Sequence, residues 1–110
     1  MERLEIRGNV LVVNCDLNPY VAREFESCCD RLLALDSPEL VVDFSRVREI
    51  SSVFLASVVH TCVAAAGSSR RITLRVPRRL VSFFDFTEAE PGVTLQVVEP
   101  PPPRGAPDGG

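Results

Sequence analysis

The chain has 110 residues, enough for one hydrophobic core and too few for two. With 45% apolar and 25% charged residues it has the composition of a soluble globular protein, not of a disordered or membrane chain. The net charge of -3 argues against a nucleic-acid footprint, and all twelve basic residues are arginine, which excludes the lysine-centred chemistry of P-loops, Schiff-base enzymes and protein kinases.

The first elements are a strand pair. Leu4 to Cys15 alternates and then becomes continuously apolar, and Gly8-Asn9 divides it as the turn of an edge hairpin. Asn18-Pro19 is a helix start signal, because Asn can cap free N–H groups and Pro fits the first helical position. Val21, Phe25, Cys28 and Leu32 then recur at helical spacing, which predicts an amphipathic helix closing near Asp36-Ser37-Pro38.

Leu40 to Phe44 is a short apolar run without polar alternation, the pattern of a central strand covered on both faces. After the connector Ser45 to Ile50, Ser51-Ser52 supplies a second N-cap ahead of an apolar helix that ends at Gly67. On this helix Leu55, Val59, Cys62 and Ala66 are expected to form the core stripe, with Ser57, His60, Thr61 and Ser68 outside. That phase places Phe54 on the solvent side of the first turn, as an exposed aromatic suited to a binding hot spot, with burial over Val47 or Phe86 as the competing expectation.

Arg71 to Val76 alternates strictly and puts Ile72, Leu74 and Val76 on one side of a strand. Pro77 introduces a short helix to about Phe86, on which Phe83, Phe84 and Phe86 cannot all be buried. Val93 to Val98 is the last strand. Strands alternating with helices imply right-handed crossovers, so the expected fold is a single α/β domain over residues 1–98, a mostly parallel sheet of four to five strands with helices packed on it. Residues 99–110, rich in Pro and Gly, read as a disordered tail whose Pro100 to Pro103 run could also dock as a polyproline ligand.

The remaining chemistry is sparse. One histidine cannot build a two-histidine zinc site, and the cysteines at 15, 28, 29 and 62 show no Cys-x-x-Cys spacing, so no metal and no cofactor is expected. Adjacent Cys28 and Cys29 diverge on a helix and read as small buried hydrophobes, with a thiol enzyme as a remote third function. His60 reads as a solvated surface residue. Arg70-Arg71 and Arg78-Arg79 form either a solvated edge or an attraction for acidic partners or lipid headgroups. Without a signal-peptide run or a membrane-length apolar stretch, the chain is expected to be reduced and cytoplasmic.

Residues Val41-Val42-Asp43-Phe44-Ser45 to Ile50-Ser51-Ser52-Val53-Phe54-Leu55 resemble a STAS domain, the family of the bacterial anti-sigma factor antagonists. The family pattern is an apolar strand, Asp-Leu-Ser, a few residues, then Ile-Asp-Ser-Ser-Gly-Leu, and with the element order the resemblance spans Leu4 to Val98. It implies a non-enzymatic regulatory domain whose helix N-terminus binds a serine kinase that is also an anti-sigma factor, with phosphorylation falling on Ser52. Ser51 stands at the family's aspartate, Val53 at its second small residue and Phe54 at its glycine. The implied partner surface is Ser51, Ser52, Phe54 and Ser57. Capping alone remains an open reading of Ser51 and Ser52. An alternative function, favoured by the lost Asp and Gly, is a phosphorylation-independent adaptor or structural subunit of a larger complex, such as a lipid-transport ATPase or a signalling scaffold.

Overall fold

The computed structural model describes residues 2–99, so the expected tail beyond Glu99, with its Pro100 to Pro103 run, lies outside the described residues. Five strands, β1 (Leu4–Arg7), β2 (Val10–Val13), β3 (Glu39–Asp43), β4 (Arg71–Pro77) and β5 (Val93–Val98), lie in the sheet in sequence order. β1 pairs antiparallel with β2 and every later neighbour is parallel. The hairpin closes through Gly8 at φ 58, a conformation that costs glycine little, while Asn9 keeps negative φ; this is the sign pattern of a two-residue II′ turn.

Helix α1 (Ala22–Leu33) joins β2 to β3 and α2 (Leu55–Gly67) joins β3 to β4, each entered through one 3-10 turn. A twelve-residue 3-10 segment, Arg78–Ala89, joins β4 to β5; it is three residues longer than the periodicity predicts and is broken at Phe84, whose backbone is not helical. Right-handed crossovers between strands that advance in one direction place every connection on one side of the sheet. Leu11, Leu40, Val42, Ile72, Leu74 and Val76 are accordingly buried on that side. β3 alternates between buried and half-buried positions, so the expectation of a strand covered on both faces is corrected: Val41 and Asp43 lie on a face that, among the described residues, no helix covers.

The buried stripe of α1 is Phe25, Cys28, Cys29 and Leu32, continuing from Val21, as the spacing predicts with Cys29 added. The stripe of α2 differs from expectation. It is Val58, Thr61, Cys62 and Ala65, in phase with Phe54 in the preceding turn, one residue earlier than Leu55-Val59-Cys62-Ala66. Thr61 belongs to it because its hydroxyl donates to the Ser57 carbonyl 2.7 Å away, which satisfies the buried oxygen within its own helix.

Phe54 is 1% exposed, which overturns its placement as an exposed hot spot. Its ring meets Phe25 edge-on at 5.4 Å, and the contacts continue from Phe25 to Phe44 at 6.2 Å and from Phe44 to Phe84 at 4.9 Å. Phe83 and Phe86 flank Phe84 and are half-buried, so the break at Phe84 turns one ring inward and lets two cover its edges.

Gly67 is the last residue of α2 and not the left-handed one. Ser69 takes φ 62, its N–H donates to the Ala66 carbonyl at 3.0 Å, and the Arg70 N–H donates to Ala65 at 3.0 Å, the two bonds of a Schellman close. The Arg70 guanidinium reaches the other helix, donating to the Leu33 and Leu35 carbonyls at 2.8 and 3.0 Å. Arg70 therefore caps α1, whereas Arg71 and Arg79 are exposed.

Two outcomes are expected in urea titrations. Phe54→Ser should lower stability by about 3–5 kcal/mol, the range for emptying a core aromatic site, and a loss below about 1 kcal/mol would contradict the ring's place in the core. Ser69→Gly should raise stability by about 0.5–1 kcal/mol, because glycine relieves the left-handed conformation that serine now adopts.

Candidate functional site

At the carboxyl ends of β2 and β3 the chain makes two loops, the usual place for function in a parallel sheet. They are tied together. Leu17 and Ile50 form a parallel bridge, with the Leu17 N–H donating to Glu49 at 3.0 Å and the Ser51 N–H donating to Leu17 at 2.8 Å. The Asp16 carboxylate accepts from the Arg48 N–H at 2.8 Å and lies 3.7 Å from the Arg48 guanidinium. With Val47 buried beneath, the connector from Asp43 to Ser51 is held at both its backbone and its side chains.

Asp43, the acidic residue of the strand-Asp pattern, has a local role. One of its oxygens accepts from the Ser45 N–H at 2.9 Å and the other pairs with Arg75 at 3.3 Å, which turns the chain out of β3.

The two turns that open from these loops carry the candidate surface. On the first, the Asn18 side chain accepts from the Tyr20 N–H at 3.0 Å and Pro19 occupies the first helical position, as predicted. Tyr20 is then 96% exposed. On the second, Ser51 is the N-cap, its hydroxyl accepting from the Val53 N–H at 3.4 Å. Ser52 is exposed, and among the described residues its hydroxyl has no hydrogen-bond partner in the protein. The pair thus divides: Ser51 caps, and Ser52 presents its oxygen to solvent at the positive end of the helix. Val53 at 54% and Leu55 at 40% exposure stand beside it.

Of the residues singled out in the sequence, Ser51 and Ser52 lie together on this rim. Ser57 does not: it is half-buried one turn further on and, with His60, Glu26 and Asp30, lines a groove of about 450 Å³ between α1 and α2. Phe54 points into the core beneath the rim. Tyr20, Val53 and Leu55 were not singled out as exposed contacts. The phase of Val21 and Phe25 carried the signal for Tyr20, since a residue just ahead of the buried stripe leaves the core face. No comparable signal marks Val53 and Leu55, because α2 is apolar on nearly every side.

The cysteines are not placed for chemistry. All four are free, and burial pushes the Cys29 and Cys62 thiols up to about 12, with the neighbouring Thr61 hydroxyl opposing it at Cys29. Such thiols carry little thiolate near neutral pH and are poor nucleophiles. Among the described residues no cluster of three His, Cys, Asp or Glu side chains could hold a metal ion, and no helix is long and apolar enough to cross a membrane.

The parallel order with an antiparallel first strand, three one-sided crossovers and a helix opening beside Ile50-Ser51-Ser52 define a known architecture. It is the STAS-like fold. The crystal structure of the Thermotoga maritima protein TM1081, a candidate anti-sigma factor antagonist, superposes with a TM-score of 0.65 at 20% identity, over 84% of this chain and 83% of that one. An NMR structure of TM1081 superposes with a TM-score of 0.61 at 18% identity, over 91% and 82%. No protein-family model and no curated protein matches the sequence. At these identities the likeness is one of fold.

Two measurements address the rim and the thiols. Ser51→Ala should cost about 0.5–2 kcal/mol as a lost cap, whereas Ser52→Ala should leave the urea midpoint unchanged; the reverse order would contradict the division between the two serines. The raised thiols stabilise the fold fully below pH 9, where the unfolded thiols are also neutral. Above pH 9 the unfolded chain releases protons that the folded chain retains, so stability should fall as pH rises from 9 toward 12. A Cys29→Ala/Cys62→Ala chain should show a shallower fall over the same window.

Proposed function

We propose that this STAS-like chain is a non-enzymatic regulatory module that binds a partner protein through the rim where α2 begins, with Ser52 as the residue whose modification controls binding. The observation that carries the reading is the exposed Ser52 hydroxyl, free of any capping duty, in the same first turns as the exposed apolar side chains of Val53 and Leu55 and beside the turn that bears Tyr20. Exposed apolar side chains around a polar centre are what a small protein interface needs, and a phosphate there would add charge without breaking a bond of the fold. The resemblance to anti-sigma factor antagonists supports a serine kinase of the anti-sigma type as the partner class.

A second reading rests on the replacements in the motif. Ser51 in place of the family's Asp and the buried Phe54 in place of its Gly remove a charge and a flexible backbone position from the rim, and both favour a permanent adaptor in a larger complex. Mass spectrometry of the chain purified from its own cell, with the proteins that accompany it, separates the two. A single phosphate adduct that disappears in Ser52→Ala, together with partner release in Ser52→Asp, is the expected outcome. A stable complex that never carries phosphate and is indifferent to Ser52→Asp would establish the adaptor. Val53→Glu should release the partner in both cases while leaving the melting temperature unchanged, because that side chain is more than half exposed.

A further inference from the structure

Helix α2 carries no acidic or basic residue from Leu55 to Gly67 apart from His60, in a chain in which a quarter of the residues are charged. Only one side of it is buried. Ala56 and Val63, the latter 47% exposed, form the crest of its outward side, and His60 lies between them. A helix that is apolar nearly all round is ordinarily covered all round.

Ala56 and His60 of this crest line the groove that separates α2 from α1, with Val63 just outside it, and the far wall of that groove has the opposite character. Glu26 and Asp30 stand there one helical turn apart on α1, and among the described residues neither takes part in an ion pair. Like charges at this spacing disfavour the helix that carries them. Among the described residues no arginine lines the groove. An uncharged crest against an unpaired acidic wall is complementary to an amphipathic segment whose apolar face is edged with positive charge.

We propose that the groove between α1 and α2 docks an arginine- or lysine-edged amphipathic helix of a partner protein, with apolar side chains on Ala56 and Val63 and a cation between Glu26 and Asp30. This rests on the reading of the chain as a protein-binding module but not on Ser52, since the groove lies beyond the rim. A second copy of the chain is a poorer occupant: its own α2 offers no cation to the acidic wall.

The test titrates isotope-labelled full chain with two synthetic helical peptides that share one apolar face, one edged with arginine and the other with glutamine. The arginine peptide should move the amide signals of Glu26, Asp30, His60 and Val63 and bind about tenfold more tightly than the glutamine peptide. That preference should vanish in Glu26→Gln/Asp30→Asn and persist in Glu88→Gln, which removes a charge from an exposed site elsewhere. Ser52→Asp should leave it intact even if the rim reading fails, so the two proposals stand or fall separately. Absence of binding, equal affinities, signal changes centred outside the groove, or a preference that survives Glu26→Gln/Asp30→Asn would each overturn the proposal.

Discussion

Every phenylalanine of the chain belongs to one run of ring contacts, Phe54 to Phe25 to Phe44 to Phe84, with Phe83 and Phe86 against the last ring. The run crosses from the start of α2 to α1, to the end of β3 and to the 3-10 segment before β5. It therefore joins four elements that no backbone ladder connects. Aromatic pairs in tilted or edge-on geometry contribute about 0.5–1.5 kcal/mol each beyond their buried area. The rings lie under the carboxyl end of the sheet, directly beneath the rim, so the candidate surface is fixed from below by packing and from the side by the Asp16 and Leu17 tethers.

The rest of the architecture follows from strand order. A sheet whose parallel strands advance β2, β3, β4, β5 with right-handed crossovers has all its connections on one face. The opposite face pairs its own charges, Arg7 with Glu5 at 2.8 Å and Arg75 with Asp43 at 3.3 Å, around Val10, Val12 and Val41. Each arginine of these pairs is the more exposed partner, and pairs so open to water contribute little to stability. What they do is flank the valines of that face with charge, while the large exposed apolar side chains other than Val97 of β5 lie on α2 and the rim.

The order and kind of the elements were legible in the sequence because each has a clear period or a clear punctuation mark. Gly8-Asn9, Asn18-Pro19 and the alternation from Ile72 to Val76 fall where the structure places the turn, the cap and the core side of β4. The phase of α2 was not legible. With almost no charged residue to mark the solvent side, Leu55-Val59-Cys62-Ala66 and Phe54-Val58-Thr61-Cys62-Ala65 are equally good apolar stripes, about 100° apart, and only the sheet and Phe25 choose between them. The same one-residue error carried Phe54 outward and Thr61 with it. The Asp16 tether left no local trace either, since its partners lie 32 and 33 residues away.

The division between Ser51 and Ser52 bears on how such a rim could be switched. If one hydroxyl both capped the helix and accepted a modification, the modified chain would lose a cap and rebuild its first turn. Here Ser51 holds the Val53 N–H, while Ser52 is exposed at the helix end whose dipole favours negative charge. Phe54 strengthens the separation. At the position where the family pattern has glycine, a ring packed against Phe25 makes the first turn part of the core, so a shift of its backbone would have to unpack that ring. On the proposed reading, recognition would be carried by the side chains that remain outside, Ser52, Val53, Leu55 and Tyr20, on a frame packed from below. A rigid frame loses little conformational entropy on association, which offsets the smallness of the surface.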